Sequence, residues 1–376
     1  MNVEDNNKKA KIVEIGSEFW LNNTDRKDTD IKIPHWLVRL GKIVLTSSGR
    51  GAISLILEQI DVKIKKVLLP SYICDSVIIP FEDAGYELIY YNVDKYFKPI
   101  EIEIENIEIG VFLHMGYFGF KTNELLDNAI AELRTRSVVI IEDVTHTLFS
   151  NYERIEHSDF AIGSIRKWFG IPSGGFVATN KTDKIVHTGI TNPPSEFIDL
   201  RASCLKKKFK YIIAGNEYLK DEYLAGFRKA EQMLEEDAGA YRIDKVSEMI
   251  IRDMNVQEMQ EIRRTNYRFL SKNLTNCKRI EVIFEKLDDD VTPLFLPIYI
   301  IGGRDRLRNF LIKRDIYCPI HWPIPKKLEG HLDSETKRIY DSVLSIPCDQ
   351  RYEIKDMNRV VSAIKEWHLN ERDVIT

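Results

Sequence analysis

Between residues 41 and 190, short apolar runs alternate with stretches of helical period. Val67-Leu68-Leu69 runs into Pro70, Glu87–Val93 is β-rich, and Gly110–His114 and Val138–Glu142 are nearly unbroken apolar segments bounded by polar residues. Such runs suit strands of a mainly parallel sheet, because neither face of those strands meets water. Helices are expected between them over Gly51–Ile60, Cys74–Ala84 and Asn123–Thr135. This alternation predicts an open α/β sheet and marks residues 41–190 as one large α/β domain. Residues 191–275 differ. They are charged and helix-periodic, with Leu219, Tyr223, Phe227, Ala230 and Met233 recurring at three- or four-residue spacing, and predict a helical linker. Residues 276–376 carry strand-like Pro293–Ile301, a helix near Asp305–Arg314 and a terminal helix from about Lys355, a small α+β domain. Residues 1–40 read as an irregular N-terminal segment, and no internal repeat is visible.

Bulk properties narrow the function by exclusion. A chain of 376 residues is long enough for a large and a small domain, on a prior of roughly 100–200 residues per domain. The net charge of −4 leaves no electrostatic footprint for nucleic acid or an anionic membrane. The run Lys206-Lys207-Lys208 sits in a helical stretch and reads as a solvated face. Five scattered cysteines lack the paired spacing of a zinc site, so no metal is expected and free thiols in a reducing cytoplasm are. No apolar run approaches the roughly 18 residues of a membrane span.

Chemistry concentrates in three places. Asp143 ends the apolar run Val138–Glu142, and open α/β sheets place ligand sites beyond the carboxyl ends of their strands. An N-cap for the following segment is the plainer reading of that aspartate. Lys167 follows in Ser164-Ile165-Arg166-Lys167, ahead of Gly174-Gly175; most lysines are simply solvated, so alone it means little. Together the two residues supply what pyridoxal 5'-phosphate (PLP) requires, an amine for an imine and a carboxylate for the ring nitrogen. Upstream, Leu45-Thr46-Ser47-Ser48-Gly49-Arg50-Gly51-Ala52 feeds small residues into an apolar helix. Exposed amides there would grip a phosphate, although Ser-Gly before a helix is often a cap.

These residues resemble the DegT-type sugar aminotransferases, fold-type-I PLP enzymes, over nearly the whole chain. Ser48-Gly49-Arg50 falls at that family's Ser-Gly-Thr phosphate turn, and Pro70-Ser71-Tyr72 at its Pro-aromatic segment. The stretch from His114 to Gly119 is similar to its His-x-Tyr-Gly strand end, and Glu142-Asp143-Val144-Thr145-His146 to its Glu-Asp-Ala-Ala-Gln. Pro319-Ile320-His321-Trp322-Pro323 resembles the family's His-Tyr-Pro segment, and Ser345-Ile346-Pro347 its Leu-Pro turn. The resemblance implies that Lys167 is the Schiff-base lysine and Asp143 the pyridinium partner. It implies that Ser48, Gly49, Arg50 and Ser164 bind phosphate, and that His146 takes the place of a glutamine at the cofactor's phenolic oxygen. Tyr72 and Cys74 fall beside the cofactor, and His114, Tyr117 and His321 toward the substrate.

Two departures stand out. Two residues, Ile165 and Arg166, separate Ser164 from Lys167 where the family has four, and Cys74 stands where an aromatic usually stacks on the ring, a task left to Tyr72 or His114. Tyr117, Phe118 and Trp168 also read as ordinary core, and His321 equally as a packing residue. The activity implied is transfer of an amino group from an amino acid, usually glutamate or glutamine, to a keto sugar, by a homodimer. A nucleotide-linked sugar for a surface polysaccharide or another amino-sugar product is the expected setting. A PLP sugar dehydratase, whose members usually carry histidine in place of the lysine, and a non-catalytic relative with a binding role are the competing readings.

Overall fold

The computed structural model describes residues 14–22, 33–100, 102, 104–151, 158–180, 190–330 and 332–370. The N-terminal segment is less irregular than expected: β1 (Ile15–Gly16) and a single-turn α1 (His35–Val38) precede the main sheet. That sheet is built from β2 (Lys42–Thr46), β3 (Lys66–Pro70), β4 (Glu87–Tyr91), β5 (Val111–Met115), β6 (Val139–Asp143), β7 (Phe160–Ser164) and β8 (Gly175–Thr179). Three helices lie between these strands, α2 (Gly49–Leu57), α3 (Asp75–Asp83) and α4 (Asp127–Thr135). The order is β2-β8-β7-β6-β5-β3-β4, parallel throughout except at β8, which runs antiparallel to both its neighbours. Every residue of β5, β6, β7 and β8 is buried, which is why their sequences do not alternate.

The charged helical region is a hairpin of α5 (Ser195–Ala214) and α6 (Glu217–Glu236), followed by α7 (Lys245–Arg252) and α8 (Val256–Leu274). Gly215 turns the hairpin at a left-handed φ of 66°, and Asn216 then caps α6 by accepting from the Tyr218 amide. Tyr223, Phe227, Ala230 and Leu234 bury one stripe of α6 against α5, as the helical period predicts.

The C-terminal part holds β9 (Ile280–Val282), β10 (Leu296–Ile300), α9 (Arg304–Ile312), β11 (Ile316–Tyr317), α10 (Ser334–Ser342), β12 (Val343–Ile346) and α11 (Ile354–Asn370). Strands β12-β10-β9 form a small antiparallel sheet, and its core joins Leu270 of α8, Leu311 of α9 and Ile364 of α11. Strand β1 pairs in parallel with β11, Ile15 opposite Ile316, so the chain's start is stitched to its C-terminal part.

Candidate active site

Beyond the carboxyl ends of β5, β6 and β7 lies a cavity of about 700 Å³ including its mouth. Its walls include Ser48, Gly49 and Arg50 at the start of α2, Cys74 before α3, Met115 at the end of β5, and Asp143 and His146 beyond β6. Ser164, Arg166 and Lys167 follow from β7, Glu231 from α6 and Trp322 from the C-terminal part. Asp143 and Lys167, 24 positions apart in sequence, therefore face one space, as expected of the carboxyl end of an open α/β sheet.

The carboxylate end is rigid. Asp143 is 5% exposed and accepts the Thr145 amide at 2.8 Å. Burial pushes its carboxyl up, opposed by hydrogen bonds from Thr145 and by the Lys167 ammonium. The Thr145 hydroxyl also accepts the Ser164 amide at 3.0 Å, and its carbonyl accepts the Trp168 indole at 2.7 Å. Thr145 thus ties the ends of β6 and β7 to the lysine segment. Nothing in its sequence marked it apart from its place in the Glu-Asp-Val-Thr-His run.

The short Ser164–Lys167 connection is a single 3-10 turn. It leaves Ser164 against the phosphate turn, since a Cβ on Gly49 would lie 3.4 Å from the Ser164 Cβ. The two segments are joined through Gly174, whose amide donates to Ser47 O at 2.7 Å while its carbonyl accepts from Ile165 at 3.0 Å. Gly175 is needed for close approach, because a Cβ there would meet the Ser48 carbonyl carbon at 2.3 Å. The Ser48 hydroxyl itself accepts the Gly51 amide at 3.0 Å, so its oxygen caps α2.

His146 is 2% exposed, and the Phe118 amide donates to its Nδ1 at 3.3 Å. That bond leaves the ring proton on Nε2. Burial, then the Lys167 charge, hold the imidazole neutral by lowering it to about 3. Neutral and Nε2-protonated, His146 is a hydrogen-bond donor. Trp322 stacks on it at 5.3 Å and 29°.

Four expected residues lie elsewhere. His114 does not line the cavity; its ring nitrogens contact Asn123 at 2.8 Å and Ser158 at 3.2 Å, and its neighbour Met115 lines the wall instead, because adjacent strand residues point to opposite faces. Tyr72 and Tyr117 are core residues, the Tyr117 hydroxyl donating to Tyr72 O at 2.6 Å. His321 is buried one layer behind, its Nδ1 2.7 Å from the Ser345 hydroxyl and its ring 5.7 Å from that of His146. Trp322 is the aromatic side chain that lines the cavity, and it also packs on Tyr72 at 5.2 Å. Neither Tyr72 nor His114 lines the cavity. Sequence reasoning also missed Glu231, because its element, α6, lies in the helical region read as a linker.

No family model matches the chain, and no curated protein matches it in sequence. Solved structures do match in three dimensions. PseC of Helicobacter pylori, an aminotransferase involved in the biosynthesis of pseudoaminic acid, is 14% identical with a TM-score of 0.61, over 88% of this chain and 89% of its own. A DegT DnrJ EryC1 StrS aminotransferase from Brucella abortus is 14% identical at 0.61, over 89% and 91%. The chain has the DegT-type aminotransferase fold. The sugar aminotransferase Spr1654 from Streptococcus pneumoniae, solved in its PLP form, has the same likeness: 13% identity and a TM-score of 0.63, over 89% of this chain and 90% of its own. Within this fold-type-I scaffold the large mixed sheet carries the cavity, and the C-terminal part contributes Trp322 to its wall.

The cavity's chemistry suits the group this fold implies. Asp143 is a buried carboxyl on the cavity wall. Gly49, at the start of α2, lines the cavity with no Cβ, and the Nε atoms of Arg50 and Arg166 are buried without a hydrogen-bond partner among the described residues.

Proposed function

We propose that this chain is a PLP-dependent aminotransferase that moves an amino group from an amino acid, glutamate first among them, to a keto sugar carried on a nucleotide. The observation that carries this reading is the convergence of Lys167, Asp143 and the Ser48–Arg50 turn on one cavity. When bound, PLP supplies the electron sink that makes an amino acid's α-proton removable. Lys167 would hold it through the side-chain amine, and that amine, when free, would be the base that carries a proton between the donor's α-carbon and the acceptor carbon. Asp143 would keep a proton at the ring nitrogen, and Thr145 keeps Asp143 in place. His146 Nε2 donates toward the phenolic oxygen. Ser164 and the first amides of α2 would bind the phosphate.

Lys167 in place of a histidine speaks against the dehydratase reading, and the intact cavity gives the non-catalytic reading no support. A homodimer in the cytoplasm, acting in surface-polysaccharide or other amino-sugar synthesis, belongs to the same proposal. Among the described residues no helix is long and apolar enough to cross a membrane.

The purified protein with PLP should show a visible absorbance band that glutamate bleaches with release of the keto acid. Lys167→Ala should lose the band and reduce turnover on the order of 10²- to 10⁴-fold or more. A Lys167→Ala variant that keeps both the chromophore and full turnover would overturn the assignment.

A further inference from the structure

At the phosphate end of the cavity, three guanidinium groups converge on one carboxylate. Glu231 Oε1 lies 3.0 Å from Arg166 Nη1 and 3.3 Å from Arg201 Nη1, and its Oε2 lies 3.7 Å from Arg50 Nη1. The three partners are not equivalent. Arg201 is 4% exposed, belongs to α5 of the same hairpin as Glu231, and is further held by Glu18 at 3.8 Å and by the Phe227 ring at 5.0 Å. Arg50 and Arg166 belong instead to the phosphate turn and the lysine segment and line the cavity, which Arg201 does not, while all three keep buried Nε atoms without a partner among the described residues. Glu231 itself is 40% exposed.

We propose that Glu231 is a resident counter-anion of the phosphate subsite, displaced from Arg50 and Arg166 when a phosphate monoester enters and retained by Arg201. The inference rests on the phosphate end of the site read above. Charge balance favours the exchange. Arg50, Arg166 and Lys167 line the cavity with two carboxylates, Glu231 and Asp143, an excess of one positive charge that withdrawal of Glu231 raises to two. A phosphate monoester carries about −1.5 to −2 at neutral pH and accepts forked guanidinium bonds well. A carboxylate shared three ways satisfies none of its partners fully, and the 3.7 Å pair to Arg50 is beyond hydrogen-bond length. Because Glu231 sits on α6, the exchange also makes the seating of the helical hairpin respond to occupancy of the phosphate subsite.

The test is calorimetric titration of inorganic phosphate into the full chain freed of cofactor. Glu231→Gln should bind phosphate more tightly than wild type, by about tenfold, the worth of one charge-assisted hydrogen bond. Arg166→Gln should bind it more weakly by about the same factor. If Glu231→Gln folds poorly, Glu231→Asp, which draws the carboxylate back from Arg50 and Arg166, should shift affinity in the same direction. A folded Glu231 variant whose phosphate affinity is unchanged or weaker overturns the proposal, and Glu231 is then only a brace. The probe needs no lysine and no ring, so failure of the Lys167→Ala spectrum would strike the cofactor reading and leave this measurement standing.

Discussion

His146 shows how much one buried side chain's surroundings decide. In sequence it sits at a glutamine position, with a charge state open near neutrality. In the fold, burial and the nearby Lys167 bring it from the ordinary 6.5 to about 3, and the Phe118 amide selects its tautomer. The unfolded chain takes up a proton at this residue as pH falls through 6.5, whereas the folded chain does not until about 3. His146 therefore contributes stability above pH 6.5 that is lost progressively below it. His146→Gln should flatten the decline of the urea midpoint between pH 6.5 and 4, leaving a residual slope from His321, which burial and the neighbouring His146 and Lys167 also hold low. Superimposable wild-type and variant curves would contradict this account. Asp143 and Lys167 were legible because each stands beside a distinctive local signal, an apolar run and a Gly-Gly return. His114 was misplaced by one position, since strand alternation gives opposite faces to His114 and Met115 and the motif alone does not say which faces the ligand.

Among the elements, β8 and α2 depend on each other most closely. Gly175 begins β8 opposite Thr46, and the Ser48 carbonyl occupies the space where its side chain would be. Gly175→Ala forces the turn off β8, and a loss of about 1–3 kcal/mol is expected from overpacking. An equilibrium urea titration with an unshifted midpoint would mean that turn and strand separate freely. The same crowding explains why β7 and β8 were not singled out beforehand. Their Phe-Ala-Ile-Gly-Ser and Gly-Phe-Val-Ala-Thr sequences carry small residues of low strand propensity. Gly163 is there because a Cβ would meet the Phe176 ring at 2.6 Å. Longer apolar runs at β5 and β6 were read within one residue of their ends, and helix starts moved by a few residues where caps such as Ser48 set them.

Across the molecule, the N-terminal segment, the hairpin and the C-terminal part meet at one buried cluster. Lys208 of α5 is fully buried and lies 2.7 Å from Glu14 Oε1, beside β1; Lys220 of α6 lies 3.6 Å from Glu14 Oε2 and donates to Tyr317 of β11 at 2.8 Å. The basic run that reads as a solvated face in sequence therefore splits, Lys207 pairing at the surface with Glu222 at 2.6 Å and Lys208 turning inward. Burial brings Lys208 from 10.5 to about 8; Glu14 opposes that shift and Arg351 adds to it. The unfolded chain thus holds a proton that the folded chain releases between those values, so this group's contribution to stability grows as pH rises from 8 and is lost as pH falls back through it. Lys208→Met should reduce the pH dependence of stability between pH 8 and 10, measured as urea midpoints against wild type. An unchanged slope would show that Lys208 stays charged in the fold.

Local order in the chain was enough to set the class of the fold and to mark candidate residues at its centre. Apolar runs too long to alternate are satisfied inside a covered sheet, and a carboxylate at the end of one such run marked a candidate site there. Packing across distant segments decided the rest. Glu231, Trp322 and Thr145 join the site through approaches with no signature in spacing, Tyr72 and Tyr117 leave it because aromatic neighbours enclose them, and Lys208 is buried because a carboxylate 194 positions earlier awaits it. Charge and burial are properties of surroundings, and surroundings exist only once the chain has closed on itself.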